Sequence, residues 1–95
     1  MMECNIMGLD RKVIKKPCYK TKYKNIVIVK LADRCYSMTH YQTGVAIVYD
    51  RYTSKQKALA NLDDVIYKTR EIFKRNNIKS LKQYCKQCGI KQINF

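Results

Sequence analysis

Three β-prone runs follow one another between residues 25 and 49, and the breaks between them are too short for anything but turns. Asn25 to Leu31, Cys35 to Tyr41 and Val45 to Tyr49 are rich in β-branched and aromatic residues. The breaks between them fall at Asp33-Arg34 and Gln42-Thr43-Gly44. A parallel connection needs a crossover of about a dozen residues or more, so these breaks leave an antiparallel meander. Arginine disfavours positive φ, so Asp33-Arg34 is a weaker turn than Asp-Gly, and a loop of three or four residues is expected there. In the middle run Tyr36, Met38 and His40 alternate with Cys35, Ser37, Thr39 and Tyr41. That alternation predicts one solvent-facing side of the sheet, carrying Ser37 and Thr39.

A long helix follows the strands. Thr53 or Ser54 serves as its cap, with Gln56 three residues after Thr53 as a capping box requires. The helix should reach about Arg75, where Asn76-Asn77 tolerates a left-handed C-cap. Leu59, Leu62, Ile66, Thr69 and Phe73 recur at steps of three and four, and Ala58, Val65 and Ile72 widen the stripe to that of a core-facing helix. Asp63 and Asp64 are adjacent on this helix and so point about 100° apart. They read as solvated or paired with Lys57 or Lys68, with no paired-carboxylate chemistry. A second, short helix is expected from Ser80 as cap through Leu81 to Cys88, closed by Gly89, and Ile90, Ile93 and Phe95 form an apolar tail that should dock.

Before the strands, Met1 to Asp10 lacks periodicity and reads as an arm, and Val13-Ile14 is a short β-prone piece. Pro17 disfavours a central strand and places Cys18 in a loop. With no repeat or low-complexity tract, the expectation is a single α+β domain over residues 1–95. Its fold is a three-stranded antiparallel meander, with at most a short N-terminal strand added, packed on one long helix and followed by a short one. A 95-residue domain buries only about 60 to 65% of its unfolded surface, so its core is thin.

Small domains often supplement such cores with a metal or disulfides, and this chain has five cysteines. Cys85-Lys86-Gln87-Cys88-Gly89 matches a zinc knuckle, in which two thiolates converge at a turn that glycine permits. Leu81, Tyr84, Cys85 and Cys88 also follow i, i+3, i+4, i+7, so a metal-free amphipathic helix explains the same residues. A redox Cys-x-x-Cys is a third option, although such motifs start helices and this one ends one. A structural zinc clamp would use Cys85 and Cys88 with Cys18 third and Cys4 fourth, Cys35 and His40 being reserves, and would tie the two chain ends together. Four protein ligands would leave no open position for water, so the site would not be catalytic.

No apolar run is long enough to cross a bilayer and no leader-like segment begins the chain, so a cytoplasmic location is expected. Twenty Lys and Arg against seven Asp and Glu give a formal charge of +13, a field that attracts polyanions. Lys15, Lys16, Lys20, Lys22 and Lys24, with Arg34 and Arg51, are the candidate partner-binding residues. Tyr19 and Tyr23 interleave with these lysines, a pattern that suits base stacking beside phosphate contact, and a solvated basic edge is the plainer alternative. Phosphate-binding glycine loops, a Ser/His/Asp arrangement and a second histidine are all missing, so a non-enzymatic binding module is expected.

From Val45 to Leu62 the chain resembles AP2-type DNA-binding domains and the arm-binding domains of phage integrases. Its Tyr52-Thr53 step runs through Ala58 into the helix as theirs do, although their tryptophans and arginine-rich strands are missing. The resemblance implies a three-stranded sheet in the major groove, read by Arg34, Ser37, Thr39 and Arg51. In general character the chain also resembles small phage or mobile-element accessory proteins of the anti-CRISPR type, some of them zinc-stabilised. That resemblance implies inhibition of a CRISPR effector nuclease in a bacterial host by blocking DNA loading. The alternative is direct binding of DNA or RNA.

Overall fold

Ile26-Val27-Ile28-Val29 has no polar residue in its alternation, so the strand that carries it must be covered on both faces. The computed structural model describes every residue except Met1, Leu9, Arg11, Tyr49, Ser80 and Phe95, and the side chains of Leu81 and Lys82. Five strands, β1 (Met2–Met7), β2 (Val13–Lys20), β3 (Ile26–Ala32), β4 (Cys35–His40) and β5 (Val45–Ala46), form one antiparallel sheet in sequence order. Helices α1 (Lys55–Arg75) and α2 (Leu81–Gln87) follow.

Strand β3 lies in the middle, and each of its faces contributes to a separate core. Ile26 and Ile28 pair across to His40 and Met38 and pack with Ala58, Leu62 and Ile66 of α1. Val27 and Val29 face the other way, opposite Thr39 and Ser37, and pack with Cys4, Ile6 and Cys18 from β1 and β2. One helix covers the first face, while the curl of the sheet itself covers the second.

Closure of the curl occurs at the turn between β4 and β5. The Met7 N–H donates to the Gly44 carbonyl at 2.9 Å. The C-terminal tail then binds both partners: Asn94 Nδ2 donates to the carbonyls of Asn5 at 2.7 Å and Tyr41 at 2.6 Å, and Asn94 Oδ1 accepts from the Asn5 N–H at 2.9 Å. The Ile93 N–H donates to the Gln42 carbonyl at 2.7 Å. This docks the tail at Ile93, which lies against Gly44, through backbone and amide groups, while Phe95 lies outside the described residues.

Several expectations are corrected. The N-terminal arm contains strand β1, paired along its length with β2, so the sheet has five strands and not three. Pro17 and Cys18 lie within β2, where Pro17 faces Glu3, and Cys18 is fully buried. The β3–β4 turn has only two residues, with Arg34 itself at φ 54°, and a bulge between Lys30 and Ala32 absorbs the twist. The last run of the meander pairs only at Val45–Ala46, and its end at Tyr49 lies outside the described residues. Ser37 and Thr39 are each 2% exposed, and their hydroxyls bond each other at 3.1 Å, because the solvent side expected for them is the inside of the curl.

The helices follow their expected spans to within a residue or so, and Ser80, expected to cap the second, lies outside the described residues. Ser54 caps α1 by accepting from the Lys57 N–H, which leaves Thr53 and Gln56 out of the cap. Asn77 takes the left-handed conformation at φ 58°, and the Ile78 N–H reaches back to the Phe73 carbonyl. The buried stripe centres on Ala58, Leu62 and Ile66, so Leu59 and Ile72, expected within it, are 41% and 54% exposed.

Gly44 tests the closure most directly. At φ 68° it suits glycine, and a Cβ there would lie 2.8 Å from both the Asn5 carbonyl oxygen and Ile6 Cα, which are backbone atoms that cannot swing aside. Gly44→Ala should therefore cost at least about 2 kcal/mol in urea unfolding. Asn94→Ala should cost about 2 kcal/mol, because it leaves two carbonyls without their donor.

Candidate polyanion-binding end

The β2–β3 loop is short and held from within. Thr21 Oγ1 accepts from the Tyr23 N–H at 3.1 Å and donates to the Ile26 carbonyl at 2.8 Å. This projects Tyr23 towards α1, where its hydroxyl donates to Asp63 Oδ1 at 2.5 Å. Lys22 Nζ meets both oxygens of the same carboxylate, at 2.7 and 2.8 Å. The Lys22 ammonium holds the Asp63 carboxyl below its usual range, with the Tyr23 hydroxyl adding to this, and Asp63 in turn raises both partners. All three groups are open to solvent, so the contact fixes the loop's position more than it adds stability.

Cations surround Tyr23. The Lys22 ammonium and the Arg70 guanidinium lie 5.6 and 5.8 Å from its ring centroid. A cleft of 490 Å³ opens on one side, between Tyr23 and the end of α1, rimmed by Arg70, Lys74 and Lys79. A cleft of 380 Å³ on the other side is rimmed by Lys20 and Lys24. Six cations thus gather at one end of the molecule around one tyrosine, with Asp63 the carboxylate bonded among them. Such a surface attracts phosphate at a distance and offers several points of contact at close range.

Of the seven basic residues expected to bind a partner, three belong to this end: Lys20, Lys22 and Lys24. Lys15 and Lys16 are neighbours on β2 and so point to opposite faces, paired with Asn5 and Cys4. Arg34 is exposed in the β3–β4 turn, and Arg51 follows β5, its guanidinium donating to the Asp50 carbonyl at 3.3 Å. Neither arginine lines either cleft. Arg70, Lys74 and Lys79 were missed. The signal was available, since Arg70 and Lys74 continue by steps of four along α1 the line of Ala58, Leu62 and Ile66.

The cysteines are spread through the fold. Cys4 and Cys18 meet inside the curl, where burial first and the neighbouring thiol second push Cys4 up to about 12. Cys85 is buried on α2, its Sγ 3.9 Å from Thr43 Oγ1, while Cys88 is exposed and Gly89, at φ 73°, ends the helix. Among the described residues, no group of three or more His, Cys, Asp or Glu side chains is placed to share a metal ion. The helical pattern thus accounts for the placement of Cys85, and the geometry lends the zinc clamp no support. Metal analysis of protein purified without added zinc decides the matter, about one zinc per chain with a chelator-sensitive melt being the result the clamp requires.

Protein-family models, curated proteins and solved structures were all compared with the chain, and none matches it. No helix among the described residues is long and apolar enough to cross a membrane.

His40 is buried on β4, with Nδ1 2.9 Å from Thr43 Oγ1, and burial lowers its pKa below 6.5. Between the folded and unfolded values the unfolded chain holds more protons, so stability is full above about pH 6.5 and falls as pH drops through that range. Urea midpoints between pH 7.5 and 5 should show this decline, and His40→Gln should flatten it.

Proposed function

We propose that the protein is a small, non-enzymatic module that binds nucleic acid through its basic end. One observation carries this reading: six cations from the end of β2, the β2–β3 loop, α1 and the segment after it converge around Tyr23 at two adjoining clefts. Phosphates would be held by Lys20, Lys24, Arg70, Lys74 and Lys79, while Tyr23 sets the spacing between the two groups. The groove-reading mode that the AP2 and integrase resemblance implies is not part of this proposal. Ser37 and Thr39, which it needs outside, lie in the interior.

Inhibition of a CRISPR effector nuclease is the second reading, favoured by the apolar lining of the cleft beside Arg70, which suits a protein contact. A chain of net charge +13 is repelled by a cationic DNA channel. As an inhibitor it would therefore engage an effector at its guide RNA or at an acidic face. Co-elution with guide-loaded nuclease, with loss of target-DNA binding, is the outcome this reading requires.

Direct binding is tested by fluorescence anisotropy with labelled oligonucleotides between 50 and 200 mM salt, concentrations at which counterion release is readily measured. Five phosphate contacts predict a slope of about −4 to −5 on a log–log plot. Lys74→Ala and Lys79→Ala together should reduce the slope by about two, whereas Lys15→Ala should leave it near the parent's. Asp63→Asn removes the competing carboxylate and should tighten binding at low salt. No binding at 50 mM salt would defeat the proposal.

A further inference from the structure

The cleft beside Arg70 does not end there. A second cavity of 550 Å³ continues from it, and the two share Ile47, Thr69, Phe73 and Ile78. Together they border both flanks of α1 between Ile66 and Asn76: Ile66, Arg70 and Lys74 line the first, Ile72 and Asn76 the second, and Thr69 and Phe73 lie between them. The combined cleft has a polarity. Across the helix, Arg70, Lys74 and Lys79 stand at the end on one flank, and Val45, Val48, Ile72 and Ile90 line the end on the other, with α2 contributing Tyr84 and Cys85.

The polar groups between those ends are already engaged. Thr69 Oγ1 donates to the Val65 carbonyl at 2.8 Å, and Asn76 Nδ2 to the Ile72 carbonyl at 2.9 Å. His40 Nδ1 is bonded to Thr43, and the Tyr23 hydroxyl to Asp63. A peptide backbone lying in this cleft would give up water and find few partners, which disfavours it. A hydrocarbon chain needs none. Each cavity falls in the size range of small-molecule sites.

We propose that this cleft binds a long-chain carboxylate, its headgroup among Arg70, Lys74 and Lys79 and its acyl chain extending past Phe73 towards Ile72 and Ile90. The geometry of the head fixes the sign of charge, and the aliphatic lining fixes the character of the tail. This assignment stands apart from nucleic-acid binding, although both use the same three cations.

Calorimetric titration of the whole chain with octanoate, decanoate and dodecanoate, each below its micelle concentration, tests it. The expected result is one ligand per chain, with affinity rising about fourfold per added methylene. Lys74→Glu combined with Lys79→Glu should weaken dodecanoate at least about tenfold, and dodecyl maltoside, with its uncharged head, should bind the parent at least as weakly. Ile72→Trp, at a half-exposed position that tolerates substitution, should narrow the apolar end and weaken dodecanoate more than octanoate. Thermal melts confirm that each variant is folded. Several ligands per chain, equal affinity for dodecyl maltoside, indifference to the charge reversals, or no saturable binding of dodecanoate up to about 1 mM would each overturn the assignment.

Discussion

Everything else in this fold depends on the meeting of β1 with the β4–β5 turn at Gly44. A central strand that is apolar on both faces must be covered twice, and among the described residues one long helix, α1, covers one face. Curling the sheet until Asn5 and Ile6 touch Gly44 supplies the second cover from the sheet itself. That contact would be weak if it rested on one backbone hydrogen bond. The Asn94 amide reinforces it by joining β1 to Tyr41 from outside, so the two ends of the chain are tied together by amide groups.

The same closure determines what is left for binding. With one face of β3 and β4 inside the curl and the other beneath α1, neither offers a flat sheet to a partner. The exposed chemistry moves to the ends and edges of the layers. Tyr23 and Lys22 reach across from the β2–β3 loop to Asp63, fixing the loop against the helix. Arg70 and Lys74 then fall beside the loop lysines because they follow Ile66, which is buried in the helix-covered core, along the same flank of α1.

How far the sequence disclosed this varies by physical cause. The meander and the long helix were legible because periodicity and turn spacing are local, and Asn77 behaved as its left-handed tolerance suggests. Strand β1 was hidden because its alternation, Cys4 and Ile6 inward with Glu3 and Asn5 outward, is short and includes a cysteine that reads equally well as a ligand. Ser37 and Thr39 misled for a different reason. Polar residues alternating on a strand normally mark solvent, but these two satisfy each other inside a narrow interior, and only the long-range closure reveals that there is an interior. The site was half legible for a similar reason. Lys20, Lys22 and Lys24 fall within five consecutive residues, whereas Arg70, Lys74 and Lys79 join them only through tertiary packing.

A charge of +13 on a thin core brings these points together energetically. Like charges crowded at one end repel, and the Lys22–Asp63 contact offsets that repulsion only locally because it is open to solvent. An anion placed among Lys20, Lys24, Arg70, Lys74 and Lys79 would offset far more of it, since it faces several cations at once. A ligand that binds only the folded chain stabilises it in proportion to the logarithm of its free concentration over its dissociation constant. An anion bound at this end would therefore couple its occupancy to folding. The fold tolerates crowded cations there because α1 and the β2–β3 loop are anchored by apolar side chains, Ile26 and Ile66, directly beneath them.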